Sequence, residues 1–170
     1  PRPGAGVMRS VRTDRLALSL VTEPGDPRLR DLLIQHEPGR VLDAVTGRPT
    51  SSSLTVPEAW TERALRLDRL LGVAEARAAK GGLRWICPGD SDWPRPLDDL
   101  DQAVPFHGTA GAPLGLWLRG AGDLAELCEQ SVAIVGARAC TTYGAECASE
   151  VAGDCADADH TVVSGAAFGI

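Results

Sequence analysis

The sequence contains no apolar run long enough to cross a membrane. Hydrophobic residues make up 44% of its 170 residues, but charged residues interrupt every stretch well before eighteen apolar residues accumulate. The first residues also lack the charged-then-apolar pattern of a secretory leader. We therefore expect a soluble, cytoplasmic protein with no membrane partner. The apolar content is sufficient for a folded core, which excludes a disordered chain.

The sequence also lacks the residue spacings by which metal sites and catalytic centres are usually recognised. The five cysteines form no Cys-x-x-Cys pair and lie in or beside apolar segments, which favours reduced structural thiols over metal ligands or disulfides. The three histidines stand apart from any cysteine or carboxylate pair at ligand spacing. Neither a Gly-x-Ser-x-Gly elbow nor a Gly-x-Gly-x-x-Gly dinucleotide turn is present. We expect no catalytic residue, no metal and no cofactor, and a binding protein rather than an enzyme.

Positive charge is scarce in the last third of the chain. The net charge is −6, and residues 120–170 contain a single basic residue, Arg138, against eight acidic ones. Proteins that bind single-stranded nucleic acid usually carry a positive groove along the phosphates. Any phosphate bound in this region must therefore be held by Arg138 and backbone amides, or by cations supplied from elsewhere.

The pattern of residues 131–170 predicts a strand, helix and strand connected by glycine-rich turns. Ser131–Val135 is a short β-branched and small apolar run, typical of a parallel strand covered on both faces. Gly136 ends that strand, and Thr141 or the next residue is placed to cap a helix whose apolar positions recur at helical spacing. Thr161–Val163 then reads as a second buried strand. Together these segments predict a βαβ unit.

A right-handed βαβ crossover brings the carboxyl ends of both strands to the same edge of the sheet. Gly136 and Gly144 lie in or just after the first turn, and Gly165 and Gly169 lie in the second. Without a Cβ atom, these turns allow backbone amides to approach an anion closely. Arg138 projects from the first turn, so the sequence predicts a phosphate site with one guanidinium clamp.

The two turns also carry a family resemblance. Val135-Gly-Ala-Arg138 with Tyr143-Gly144, followed by Val163-Ser-Gly-Ala-Ala-Phe-Gly-Ile170, resembles the DNA processing protein A family, also called DprA or Smf. The resemblance implies a Rossmann-like domain that binds single-stranded DNA, forms a homodimer and delivers the strand to the recombinase RecA. It also implies a role as a recombination mediator in natural transformation, competence, and DNA uptake and processing.

The resemblance and the chemistry of the turns together predict which residues form the site. The predicted phosphate-binding residues are Gly136, Ala137, Arg138, Ser164, Gly165 and Ala166. Phe168 is a candidate for stacking on a base, and the residues expected to support the turns are Thr141, Tyr143, Gly144 and Gly169. Many family members carry a basic residue at the position of Phe168 and serine at that of Ala137.

The rest of the chain predicts an α/β protein in which a helical N-terminal domain precedes an incomplete Rossmann-like parallel sheet. We expect residues 1–11 to be a disordered tail, 12–82 a small helical domain similar to a sterile alpha motif, and 83–170 a partial Rossmann-like DNA-binding domain. Two predicted parallel strands are too few to cover their own faces, so we expect the chain to be truncated at its C-terminal end.

Three expectations concern segments outside the βαβ unit. Thr55 is expected to cap one long helix that runs to about Lys80, with Trp60 in the core. Arginines three residues apart on that helix, at 63, 66 and 69, fit either a solvated face or a phosphate contact. Leu116–Leu118 is expected to add a strand to the sheet, and residues 98–112 are expected to form a loop.

Two other functions are compatible with the sequence. The same sheet edge suits a nucleotide-binding enzyme or sensor related to the nucleoside-monophosphate phosphoribohydrolases, which carry a Pro-Gly-Gly-x-Gly-Thr turn and a catalytic glutamate. Neither feature occurs in this chain. Alternatively, the function of the protein depends on the helical domain, which acts as a protein-interaction module.

Overall fold

A computed structural model of the chain describes residues 9–49, 54–166 and 168–170, and it is a mixed α/β structure. The chain divides into two compact units, Pro1–Ala121 and Gly122–Ile170. The first unit contains helices and a β-hairpin, and the second contains the βαβ unit. The domain boundary that the sequence predicts at residues 82 and 83 stays a prediction.

Within residues 9–49 and 54–82, five helices precede the first strand. They are α1 (Val11–Val21), α2 (Pro27–Gln35), α3 (Pro38–Val45), α4 (Glu58–Ala64) and α5 (Leu67–Gly81). Ser10 caps α1 by accepting a hydrogen bond from the Thr13 amide, and the Asp26 carboxylate caps α2. Gly82 ends α5 in the left-handed conformation, with φ of 61°, which glycine adopts without a Cβ penalty.

The core of the first unit lies between these helices. Its most completely buried side chains are Leu18, Val21, Val41, Val45 and Trp60. Burying each of them contributes about 1.5–3 kcal/mol relative to exposure. The expectation that Trp60 belongs to the core is confirmed, because none of its surface is accessible.

A polar network surrounds Trp60 at the edge of this core. The indole nitrogen of Trp60 donates to Glu23 at 2.8 Å, and Arg63 pairs with the same carboxylate while donating to the Val21 carbonyl at 2.7 Å. The Arg28 guanidinium lies 5.6 Å from the centre of the Trp60 ring. Arg63 therefore holds two helices together, and only the remaining arginines of its predicted stripe are exposed.

The same network predicts an acid-sensitive first unit. The Arg63 hydrogen bond lowers the pKa of Glu23, and the Arg28 hydrogen bond lowers the pKa of Asp26. A carboxylate whose pKa is lower in the folded state stabilises the fold above its unfolded pKa, and that contribution is lost as the pH falls. Urea unfolding of this unit is therefore expected to show declining stability below about pH 4.3.

A pair of matched variants tests this assignment. Glu23→Gln is expected to flatten the decline between about pH 4.3 and pH 3, because it removes one titrating group. Glu75→Gln, at an exposed position of α5, is expected to leave the decline unchanged. Equal pH profiles for Glu23→Gln and the wild type would show that the Glu23 network does not set acid stability.

The structure corrects the prediction of one long helix from Thr55. The chain turns between α4 and α5, where the Arg66 amide bonds to the Arg63 carbonyl and Arg66 leaves the helical conformation at φ of −115° and ψ of 15°. Helix α4 begins after Pro57 with no side-chain cap, so Thr55 does not have the predicted role. The break separates α4, which buries Trp60, from α5, which has no buried residue.

Arg9 and Ser10, which fall within the predicted tail, contact the helical part of the first unit. Arg9 pairs with Asp14 at 2.7 Å and also with Asp43, and it donates to the Gly39 carbonyl at 3.1 Å. Helix α1 begins at Val11, within the predicted tail, because Ser10 caps it. Residues 1–8 lie outside the described residues.

The first unit ends in an antiparallel hairpin. Strand β1 (Leu83–Ile86) pairs with β2 (Leu116–Arg119), so that Leu83 faces Arg119 and Ile86 faces Leu116. The prediction that 116–118 adds to the parallel sheet is wrong, because these residues pair with β1 in a separate sheet. Part of the expected loop forms a 3₁₀ helix, Arg95–Gln102, between the two strands.

The second unit is the predicted βαβ arrangement, preceded by a short helix. It comprises α6 (Leu124–Glu129), β3 (Ser131–Ala133), α7 (Thr142–Asp157) and β4 (Thr161–Val163). The two strands pair in parallel, with Val132 opposite Val162. The expectation of buried strands is not met, since none of residues 122–166 and 168–170 is buried. A parallel strand is buried only where layers pack on both of its faces, and a single helix and one neighbouring strand leave it open.

Candidate nucleic-acid interface

The first bend follows β3 and leads into α7. Ile134 still belongs to the edge of the sheet, because its amide donates to the Val163 carbonyl at 2.9 Å. Beyond it, residues 136–139 are exposed. Thr141 is the N-cap of α7, and its hydroxyl oxygen accepts from the Gly144 amide at 3.1 Å. This cap confirms the predicted start of the helix and fixes where the bend ends.

The second bend follows β4 and folds back against the first. The Ile170 amide donates to the Ala137 carbonyl at 3.1 Å, which joins the two bends directly. Because β3 and β4 run in parallel, both bends leave the sheet at its carboxyl edge. The sequence prediction that the two glycine turns lie side by side is confirmed by this contact.

Two glycines permit this close contact. A Cβ atom on Gly136 would lie 2.7 Å from Cβ and Cγ2 of Ile170, and one on Gly169 would overlap the carbonyl oxygens of Ala137 and Arg138. Gly169 also has φ of +97°, in the region that favours glycine. By contrast, no atom of the described residues lies within 4 Å of the Cβ position of Gly165, and its φ is outside that region. Gly136 and Gly169 hold the bends together, whereas Gly165 leaves open space beside its backbone.

Most of the amides that the sequence assigned to phosphate binding are free. The amides of Gly136, Ala137, Arg138 and Gly165 donate to no acceptor among the described residues. The Ala166 amide instead donates to the Ser164 hydroxyl oxygen at 3.3 Å. Ala166 has φ of 49°, a left-handed conformation that costs energy for a residue with a Cβ. Free amides at an exposed turn are suited to bind an anion.

Arg138 is the cation of this edge. It is exposed, and it forms no hydrogen bond or ion pair within residues 9–49, 54–166 and 168–170. Its guanidinium is therefore not turned inward onto a neighbouring acid. The surrounding unit is strongly acidic, with eight Asp or Glu residues between 120 and 170. One cation and a set of free amides are better suited to bind a single phosphate group than a series of consecutive phosphates.

Two aromatic side chains near the bends face solvent. Phe168 is 93% exposed and Tyr143, in the first turn of α7, is 74% exposed. Aromatic rings at such exposure provide flat surfaces on which bases stack. The supporting role of Tyr143 stays a prediction, and a Cβ atom added at Gly144 would lie 3.4 Å from Cδ1 of Ile170, in ordinary contact.

The described residues contain no other constellation with obvious chemistry. No group of three or more His, Cys, Asp or Glu residues is arranged to hold a metal ion within the described ranges. Burial raises the pKa of the Cys87 thiol, which makes it less reactive. None of the helices that the structure describes is both long and apolar enough to cross a membrane.

The sequence did not predict a cavity of about 550 Å³ within the first unit. Helices α1 and α2 form one side of it, and the β1–β2 hairpin with residues 110–115 forms the other. Its residues are far apart along the chain, and the antiparallel pairing that brings them together was not expected. The only signal in the sequence was a pair of tryptophans, Trp85 and Trp117, one in each strand.

Comparison with known proteins points to one family. A family model described as DNA recombination-mediator protein A matches residues 84–170. Two curated proteins from Mycobacterium tuberculosis, strains CDC 1551 / Oshkosh and ATCC 25618 / H37Rv, are each named "Putative DNA processing protein DprA" and are 34% identical over 161 residues. The match covers 90% of this chain and 39% of each relative, so the chain spans well under half of their length. No solved structure matches the chain.

Proposed function

The chain belongs to the DNA recombination-mediator protein A family, and from this premise we propose that its second unit binds single-stranded DNA at the two bends. The protein that contains it acts as a recombination mediator without catalysing a reaction. It delivers the bound strand to the recombinase RecA and works as a homodimer. These steps serve DNA uptake and processing during natural transformation.

The observation that carries the proposal is the direct contact between the bends. The hydrogen bond from Ile170 to Ala137 brings both turns to one edge, and these turns contain the exposed Arg138 and the free amides. A phosphodiester has two acceptor oxygens and one negative charge, which matches one guanidinium plus several N–H donors. The bends therefore supply the donors that a phosphate of the strand needs.

The proposal also predicts a preference for single strands. A base is free to stack on an exposed ring only when it is not paired, and Phe168 offers such a ring at the same edge. Acidic residues of α7 disfavour a long phosphate track at this edge. We therefore expect one phosphate and one base of a single strand to be held at the bends.

Arg138→Ala is expected to weaken binding of a short single-stranded oligonucleotide about tenfold, because one charge-assisted contact is lost. The weakening is expected to be the same for all oligonucleotide sequences, since the contact is to phosphate. A salt series by fluorescence anisotropy is expected to show a slope of log affinity against log salt that is smaller by about one.

Arg95→Ala provides the matched control, because Arg95 is an exposed arginine of the first unit. It is expected to change neither the affinity nor the slope. Equal binding by the wild type and Arg138→Ala would remove Arg138 from the site. If a nucleoside monophosphate were bound and cleaved at its glycosidic bond while the oligonucleotide was not bound, the phosphoribohydrolase-like function would replace this proposal.

A further inference from the structure

The cavity in the first unit has the size and lining of a small-molecule site. Its volume of about 550 Å³ falls within the range of pockets that enclose small ligands. All of its lining residues belong to the first unit, so it is separate from the DNA-binding edge proposed above. The inference therefore stands independently of the proposed function.

One part of the cavity wall is apolar and aromatic. Trp85 and Trp117 lie with ring centres 5.2 Å apart at an angle of 58°. Trp85 is buried, whereas Trp117 is 37% exposed, so the pair extends from the interior toward solvent. Leu20, Leu33 and Leu114 add aliphatic surface. This wall suits a flat, largely apolar ligand body.

The charged groups of the lining fall into two sets. Most have partners that fix them in place: Glu23 pairs with Arg63, Asp26 with Arg28, and Arg30 with Asp31. Asp98 accepts from the Trp93 indole nitrogen at 2.9 Å, and Asp101 accepts from the Ala112 amide at 2.7 Å.

Arg15 is the exception among these charged groups. It forms no hydrogen bond or ion pair with any described residue, and its Nε atom is buried without a partner. The Arg15 guanidinium therefore has no anionic partner in the described part of the protein, and an anion bound in the cavity that Arg15 lines would supply one. The lining thus presents one unpaired cation next to an apolar wall.

The carboxylates limit which anion fits. Glu23, Asp26, Asp98 and Asp101 line the cavity against only two guanidiniums, so a polyanion such as a nucleoside triphosphate would be repelled. We propose that this cavity binds a small aromatic monoanion, a carboxylate or sulfonate, with its ring on the tryptophan wall and its anionic group on Arg15.

A charged and a neutral probe of the same shape test the proposal on the full chain. Isothermal titration calorimetry is expected to show indole-3-acetate binding about tenfold more tightly than indole-3-acetamide, because only the former pairs with Arg15. This comparison uses the wild type alone, so it holds even if a variant fails to fold. Equal affinity for the two probes, or no saturable binding of either, would overturn the proposal.

Three variants test whether the probes bind in this cavity. Arg15→Gln is expected to weaken indole-3-acetate about tenfold and to leave indole-3-acetamide unchanged. Ser19→Phe, which adds a ring at the cavity wall, is expected to weaken both probes, whereas Arg77→Gln on the exposed face of α5 is expected to affect neither. Indole-3-acetate binding that survives both Arg15→Gln and Ser19→Phe would place the anion elsewhere and contradict the assignment.

Discussion

Gly169→Ala is expected to separate the two bends and to reduce binding of a single-stranded oligonucleotide by at least about tenfold. The new Cβ atom would overlap the carbonyl oxygens of Ala137 and Arg138, which are backbone atoms that no rotamer change can move aside. The backbone at φ of +97° is also unfavourable for alanine, by about 1–2 kcal/mol. The bend must therefore shift, and the hydrogen bond from Ile170 to Ala137 must break.

Hydrogen exchange of the full chain separates the structural effect from the effect on DNA. The Ile170 amide is expected to lose its protection in Gly169→Ala, because its acceptor moves away. Gly153→Ala is the matched control, since it adds the same methyl group in the same unit, on α7 and outside the proposed site, where no described atom lies within 4 Å of the new Cβ. That control is expected to retain both Ile170 protection and oligonucleotide binding.

Each outcome of this experiment has a definite meaning. Loss of Ile170 protection together with loss of binding supports the proposal that the joined bends hold the strand. Loss of protection with unchanged binding would show that DNA is bound elsewhere on the protein. Unchanged protection would mean that the bend tolerates alanine, contrary to the steric argument.

The βαβ unit was predictable because its signals are local. A short β-branched run, a glycine and a capping threonine follow one another within a dozen residues, so Thr141 and the start of α7 could be placed from sequence. The parallel pairing followed from the fixed hand of such crossovers. The contact between the bends then followed from geometry that all such units share.

The first unit was harder to predict because its decisive contacts join distant residues. Periodicity extended smoothly across Leu65 and Arg66, and nothing local marked the turn that separates α4 from α5. Strand β2 likewise pairs with a strand that begins 33 positions earlier in the chain, so that Leu116 lies opposite Ile86 and Arg119 opposite Leu83. Long-range pairing of this kind has no signature in a single sequence. The cavity that the paired strands help to line was therefore not predicted either.

The burial of the second unit was overestimated for a different reason. Apolar composition showed that Val132 and Val162 suit an interior, and they are only half-buried in the structure. Composition describes what a residue favours, whereas burial depends on which layers are present to cover it. The contact between the two bends needed no such cover, so this error in burial did not affect its prediction.

Trp60→Ala is expected to destabilise the first unit by about 3–5 kcal/mol, which is a large share of the stability of a typical domain. The indole is fully buried, and its removal leaves a cavity among α1, α3 and α4. It also deprives Glu23 of a hydrogen bond and Arg28 of the ring beneath it. Urea unfolding followed by circular dichroism is expected to show a lower midpoint.

Trp117→Ala provides the matched control for Trp60→Ala. Trp117 is 37% exposed and its ring lies against that of Trp85, so the same change there is expected to cost about 1 kcal/mol. Trp60→Phe is expected to fall between the two, because it keeps most of the buried volume but loses the donor to Glu23. Similar losses of stability for Trp60→Ala and Trp117→Ala would show that the helices are not organised around Trp60. If the urea midpoint of Trp60→Phe were as low as that of Trp60→Ala, the effect would be due to the hydrogen bond and not to the buried ring.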